Sequence, residues 1–322
     1  MQKTRTGKLR IYLKWFGWVI LMQLVLINIS ASLYAYRLTH FYPAPANPPE
    51  ARNIFQKTWR LFTGPKTYKN TEEKEPDFPF RTVRLSVSGN TGIDAWYGPV
   101  DSALGCVIFF HGITANKSYL RKEAAMFRSW GYNVMLIDFR AHGRSDGNNS
   151  SFGVSETEEV QKAFDWAKKE GNRTILLYGV SLGAGVCLKA VSDGLVEPAG
   201  IVADMPFGRL QDHLEARAKS LGFPSQPFAT LVTLWIGIKR GYNGFGHDVG
   251  SYAKKVKCPV VLGWGEKDLI VTRREAEYVL DKLGSAHKKM VIYPNAGHES
   301  YLQQDPEIWK REMQAFCKKI SG

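Results

Sequence analysis

Near the middle of the chain, Gly179-Val180-Ser181-Leu182-Gly183 sets one hydroxyl between two glycines. The pentapeptide follows the apolar run ILLY and opens AGVCLKAV, a helical pattern. A serine at such a place is a nucleophile elbow. The strand-to-helix turn is so tight that flanking side chains would clash, and the hydroxyl is held out at the sheet edge. The helix N-terminus behind it favours developing negative charge. A serine hydroxyl needs a base to become a nucleophile. His298 stands in Asn295-Ala296-Gly297-His298-Glu299, just after the apolar run KMVIY, on a loop whose small residues let imidazole reach across a site. Neutral imidazole takes the serine proton and later gives it to a leaving group. The imidazole in turn needs an orienting acid. Asp268, in Gly265-Glu266-Lys267-Asp268 after VVLGW, is the expected one. Glu266, two residues earlier, and Asp204, after GIVA, are its competitors.

Acyl chemistry at Ser181 also needs donors for an oxyanion. His111-Gly112-Ile113-Thr114 follows the apolar run CVIFF. One N–H is expected from Ile113 in this loop and one from Leu182, the residue after the nucleophile. His111 reads as a structural histidine that hydrogen-bonds its own loop. Asp138 and His142, in DFRAHGRS, could suggest a metal, but no third ligand is evident and a structural loop is expected. No P-loop, dinucleotide fingerprint or HExxH motif is present. The cysteines Cys106, Cys187, Cys258 and Cys317 form no CxxC spacing and read as free thiols.

The elements that would position these residues alternate. The segment 81–87, RTVRLSV, has the period of a half-buried strand, and 93–97 should return as its hairpin partner after SGNTG. Apolar runs then fall at 106–110, 134–137, 175–178, 201–203, 260–263 and 289–292. Continuous runs of this length suit strands buried on both faces. Helical patterns fall at 118–130, 156–169, 182–192, 274–283 and 307–320. Such an order predicts an α/β fold with a mostly parallel central sheet and helices on both faces. The long interval between Ala203 and Pro259 carries two more helical patterns, near 209–221 and 228–238. It reads as a helical lid, about 207–252, over the strand C-termini where open α/β sheets keep their sites.

The N-terminal part is of another kind. Residues 1–14 hold Lys3, Arg5, Lys8, Arg10 and Lys14 and no acid, five charges of a formal net +13. Residues 15–36, WFGWVILMQLVLINISASLYAY, are uncharged and long enough to span ~30 Å of hydrocarbon as a helix. Trp15, Trp18, Tyr34 and Tyr36 lie toward its ends, where aromatic rings favour the interface. The cation imbalance puts the N-terminus in the cytoplasm and the large domain outside it, as a single-pass membrane protein. A cleaved signal peptide is the rival, with Ser30-Ala31-Ser32 as small residues at a cleavage site. Residues 37–79 form a linker, proline-rich over 41–50, with a short helical pattern (Ile54, Phe55, Trp59, Leu61, Phe62) expected to cover the catalytic core rather than lie on a membrane. Residues 80–322 form the catalytic domain. The scattered remaining positive charge shows no aromatic-interleaved basic face, so no nucleic-acid partner is expected.

Taken in order, HGIT, DFRAHGRS, GVSLGA, GEKD and NAGH resemble the α/β-hydrolase superfamily from about Phe80 to the C-terminus. Within it the chain is most similar to the membrane-anchored Bem46-like and serine-aminopeptidase-like hydrolases. The resemblance implies an α/β-hydrolase fold and ester, thioester or amide hydrolysis without a cofactor or metal. It carries Ser181, Asp268 and His298 over as the triad. A lipid-like or small ester is the expected substrate, given the membrane segment and the apolar lid residues Phe223, Phe228, Leu231, Leu234, Trp235 and Ile236. A peptidase or amidase is the alternative, for which the lid's Asp212, Glu215 and Asp248 would have to hold a substrate amine. A non-catalytic binding protein on the same fold is a further alternative. The oligomeric state is not legible.

Overall fold

The computed structural model describes residues 3–45, 53–220 and 225–321. Phe223 of the expected lid and residues 46–50 of the proline-rich stretch lie outside the described residues. Helix α1 (Lys3–Thr39) leads into a two-residue strand β1 (Phe41–Tyr42), helix α2 (Ile54–Thr63) and strand β2 (Thr67–Tyr68), with β1 and β2 paired in parallel. The main body follows as β3 (Arg81–Val87), β4 (Thr91–Gly98), β5 (Cys106–Phe110), α3 (Arg121–Ser129), β6 (Asn133–Ile137), α4 (Thr157–Lys169), β7 (Ile175–Val180), α5 (Leu182–Ser192) and β8 (Gly200–Asp204). Then come α6 (Leu210–Ser220), α7 (Phe228–Arg240), α8 (Val249–Ala253), β9 (Val260–Gly265), α9 (Arg273–Lys282), β10 (Lys288–Tyr293), α10 (Tyr301–Gln304) and α11 (Pro306–Ser321).

The main sheet runs β10-β9-β8-β7-β5-β6-β4-β3. Only the β3–β4 and β4–β6 pairs are antiparallel. Strand β3 alternates exposed and buried residues, whereas β5 to β9 are buried throughout, as strands covered on both faces must be. Two cores follow from this. One face packs Ile108, Leu177 and Leu262 against Val160 and Phe164 of α4, Val186 of α5 and Val279 of α9. The other packs Phe109, Tyr178 and Val261 against Phe127 of α3 and Trp309 and Met313 of α11.

Helix α1 is one continuous element, longer than the apolar stretch at both ends. Its 37 residues reach roughly 55 Å at 1.5 Å per residue. Apolar side chains from Leu9 to Leu26 are exposed on all sides. From Ser30 onward the helix docks on the body. Ala31 and Ala35, one turn apart, are fully buried with Ala229, Val232 and Ile236 of α7. Small residues at that spacing let two helices approach closely. Arg240 at the end of α7 donates to the Thr39 carbonyl at 3.0 Å and to its hydroxyl at 2.7 Å.

Helix α2 departs from expectation. Ile54, Phe55, Trp59 and Leu61 are exposed and do not cover the catalytic core. The reason is that α1 fixes α2 from one end. The last carbonyls of a helix have no partner within it, and here the side chains of α1 supply donors. Ser30 donates to the Phe62 carbonyl, Tyr34 to that of Leu61 at 2.8 Å, and Arg37 to that of Gly64. Gly64 holds φ +79, and a Cβ there would lie 2.9 Å from the Tyr34 ring. α2 is thereby held by its C-terminal end, with the rest of the helix exposed on all sides.

Candidate active site

The strands bring the chemistry-bearing loops to one edge. Phe110 of β5 pairs with Gly179 of β7, Val180 with Asp204 of β8, Asp204 with Gly263 of β9, and Gly265 with Tyr293 of β10. All these strands are parallel, so the residues after each emerge at the same carboxyl edge.

The elbow is built as its glycines require. Ser181 itself has φ +52 and ψ −110, a conformation a non-glycine residue adopts only when its surroundings enforce it. A Cβ at Gly179 would meet the Ala184 nitrogen at 2.5 Å, and one at Gly183 would meet the Phe110 carbonyl oxygen at 2.1 Å. Both glycines are therefore steric necessities. The Ser181 N–H donates to the Asp204 carbonyl at 2.8 Å, and the Gly185 N–H donates to the Ser181 carbonyl at 3.2 Å, which pins the turn between β8 and α5.

His298 lies between Ser181 and Asp268. Its Nδ1 is 2.8 Å from Asp268 Oδ2 and its Nε2 is 3.1 Å from Ser181 Oγ. Since an ionised carboxylate only accepts, Nδ1 carries the proton and Nε2 is left to accept from the serine hydroxyl. Asp268 is itself held. Its Oδ1 accepts the N–H groups of Ile270 at 2.7 Å and Val271 at 2.8 Å. The carboxylate is buried while the imidazole keeps partial exposure.

Neither competing acid reaches the histidine. Glu266 is exposed. Asp204 is buried on the opposite side of the strand edge, where its Oδ2 accepts from the Tyr178 hydroxyl, which accepts in turn from Trp309 Nε1 at 2.9 Å. Its Oδ1 has no partner, and burial raises its pKa from 3.8 to about 7.

The HGIT loop runs directly beside the elbow, since a Cβ at Gly112 would lie 3.4 Å from the Ser181 Cβ. Neither the Ile113 nor the Leu182 N–H has a hydrogen-bond acceptor among the described residues. His111 is structural. Its Nε2 accepts the Phe139 N–H at 3.1 Å, so Nδ1–H donates to the Gly112 carbonyl at 2.7 Å, and burial lowers its pKa to about 4. Asp138 and His142 do not form a joint ligand set. Asp138 accepts the Lys117 N–H at 2.7 Å, Lys117 Nζ at 2.7 Å and the Arg144 N–H at 2.9 Å, while His142 Nδ1 bonds the Arg140 carbonyl at 2.8 Å. No cluster of three His, Cys, Asp or Glu side chains that could hold a metal occurs among the described residues.

The interval between β8 and β9 contributes α6 and α7. Leu210 and Leu214 of α6 and Val232 of α7 are buried together with Phe152, and the half-buried Ile113 packs against them. His213 of α6 is buried nearby with its Nδ1 unpartnered; sequence reasoning did not single it out, because a lone histidine within LQDHLEARAKS carries no motif. Burial lowers its pKa to about 3. The lid acids are already engaged. Asp212 lies 3.6 Å from Arg209, Glu215 accepts from Gln211 at 3.0 Å, and Asp248 accepts from Tyr278 at 2.8 Å and pairs with Arg209 at 3.4 Å.

The fold and the motif order define a hydrolase of the α/β type, and residues 107–310 match the model of the alpha/beta hydrolase family, to which this chain belongs. Among known proteins it is 24% identical to YqkD of Bacillus subtilis (strain 168), over 67% of this chain and 72% of that one. It is 22% identical to a monoacylglycerol lipase of Mycolicibacterium smegmatis, over 67% of this chain and 88% of the lipase. The Pyrococcus furiosus esterase Pf2001 shares the fold with a TM-score of 0.66, at 24% identity, over 79% of this chain and 98% of the esterase.

Proposed function

We propose that the protein is a membrane-anchored serine hydrolase that cleaves carboxylic esters of lipid-like substrates through Ser181, His298 and Asp268. The observation that carries this reading is the His298 imidazole, hydrogen-bonded at once to a serine hydroxyl at 3.1 Å and a buried carboxylate at 2.8 Å. Ser181 Oγ attacks the ester carbonyl while Nε2 takes its proton. The N–H groups of Ile113 and Leu182 receive the oxyanion. The imidazolium, steadied by Asp268, returns the proton to the leaving alcohol, and water repeats the sequence on the acyl-enzyme. The likeness to a monoacylglycerol lipase supports a lipid-like ester. The apolar surroundings of Ile113, α6 and α7 support an acyl-binding lid. An amine-binding peptidase site is less well supported, because Asp212 and Asp248 both face the Arg209 guanidinium. A non-catalytic binding role would leave the Ser181–His298–Asp268 arrangement unexplained.

Anchoring rests on α1, which is long and apolar enough to cross a membrane over Leu9–Thr39. Retention rather than cleavage is supported by Ser30-Ala31-Ser32, which sit within the helix, with Ala31 packed on α7 and Ser30 bonded to α2. The five N-terminal cations support a cytoplasmic N-terminus and an extracytoplasmic catalytic domain.

The test is covalent. A fluorophosphonate should label the protein once, at Ser181, and the label should vanish in Ser181→Ala with turnover falling on the order of 10³-fold or more. Undiminished labelling of the alanine variant would sink the assignment.

A further inference from the structure

Helix α2 is an unusual object for a surface. At 100° per residue, Ile54, Phe55, Trp59, Leu61 and Phe62 fall on one half of it, while Gln56, Lys57 and Arg60 fall on the other. Both halves are exposed, so the apolar one is left without cover: Ile54 is 79% exposed, Phe55 76% and Trp59 53%. A helix whose apolar face finds no protein core lies in an interface of another kind.

Its position says which. The donors that hold its C-terminal carbonyls are Ser30, Tyr34 and Arg37, the residues of α1 directly beyond the exposed apolar stretch that ends at Ile29. From Trp15, the first residue past the cations Arg10 and Lys14, the uncharged helix rises roughly 30 Å by Ala35, the thickness of a hydrocarbon core, so the far border falls among the residues that hold α2. A membrane filled by that stretch therefore ends at the level of α2. Lid helix α7 meets the same level from the other flank. Its first three turns carry no charge. Val232 and Ile236 face inward and are buried, while Leu234 and Ile238 are exposed. Trp235 shares a groove with Leu21, Val25 and Ile29 of α1, within that apolar stretch. Lys239 lies over the Tyr36 ring at 5.8 Å, at the same polar border.

We propose that α2 and the outer face of α7 form a second membrane-contact surface, so that the catalytic domain sits lid-down on the bilayer that α1 crosses. α2 lies in the headgroup layer with Lys57 and Arg60 toward lipid phosphates, and the lid receives its substrate from the bilayer rather than from water. The occupant is a lipid surface, argued from the continuity of both patches with α1. This rests on the reading of α1 as a retained anchor.

The experiment uses the full chain reconstituted in phosphatidylcholine vesicles containing phosphatidylglycerol. In a Cys258→Ser background, a bimane fluorophore is placed by Phe55→Cys, by Ile238→Cys, or by Leu104→Cys. Leu104 is an exposed residue just before β5, at the opposite edge of the sheet. Expected are blue-shifted emission and quenching by brominated lipid at 55 and 238, and neither at 104. If the chain floats with vesicles after alkaline washing but the 55 and 238 probes are as wet as the 104 probe, the proposal falls while the anchor stands. If the chain does not float, the anchor reading fails and the proposal with it. Shielding at 55 that brominated lipid leaves unquenched would mean a protein partner, a second copy included, and would also overturn it. A second readout needs no probe. The Phe55→Glu/Trp59→Glu variant should lose about tenfold in hydrolysis of vesicle-borne monoacylglycerol, while a water-soluble short-chain ester is turned over as before. Equal losses on both substrates would count against a membrane role.

Discussion

At the scale of single residues, the two buried acids at the ends of neighbouring strands are held differently. Asp268 is tied by two backbone N–H groups and by His298, and Asp204 by one tyrosine. Asp268→Asn should keep the fold and cut ester turnover by roughly 10⁴-fold, because an amide stabilises the wrong imidazole tautomer. Asp204→Asn should leave turnover near that of the parent and change stability instead. The folded pKa of Asp204 is about 7, above its ordinary 3.8, so the folded state holds a proton that the unfolded chain releases. The stability this proton contributes is full below about pH 4 and is lost as pH rises through about 7. The asparagine variant should therefore show a flatter thermal midpoint between pH 4 and 7, and a higher one than the parent above pH 7. Loss of turnover in Asp204→Asn with Asp268→Asn near normal would reverse the two roles. That Ser181, Asp268 and His298 would meet, and that His111 would bond its own loop, was legible because each follows a strand end marked by small residues. The burial of Asp204 was not, since its Tyr178 and Trp309 partners arrive from distant parts of the chain.

At the scale of elements, the charged loop over residues 69–77 of the linker is structural. The Glu73 side chain is buried and bonded to Lys117. Lys117 is fully buried at the start of a 3-10 turn, with Asp94 at 3.2 Å, Asp138 at 2.7 Å and the Trp96 ring at 4.5 Å. This group ties the pre-sheet loop, β4, β5 and β6 together just behind the HGIT segment. Removing the cation leaves buried carboxylates without a counter-charge, so Lys117→Met should cost about 3–5 kcal/mol in urea unfolding. Unchanged unfolding would show that the acids relax into water or take up protons at no cost. The strands were legible from continuous apolar runs, and the helices from their period. Lys117–Glu73 was not, because two residues 44 positions apart leave no periodic trace.

At the scale of the whole molecule, the N-terminal helix and the hydrolase body are one structure. If the N-terminal cations set the orientation, a C-terminal alkaline phosphatase fusion should be active, because that enzyme needs an oxidising compartment for its disulfides; an inactive phosphatase fusion together with activity of a matched cytoplasm-dependent reporter would invert the orientation. A helix long and apolar enough to span a membrane was legible from length and lack of charge. Its continuation into a packed helix was not, because Ala31 and Ala35 look alike whether they await a peptidase or a neighbouring helix. The docking of α1 on α7 bears on how this enzyme is handled at the bench. A truncation beginning after Thr39, the natural choice for a soluble preparation, would strip the cover from Ala229, Val232 and Ile236 and take away the acceptors of Arg240. Such a protein should bind hydrophobic dyes and melt at a lower temperature than one beginning at Ser30. Activities measured on it would describe a hydrolase whose α7 has lost its neighbour.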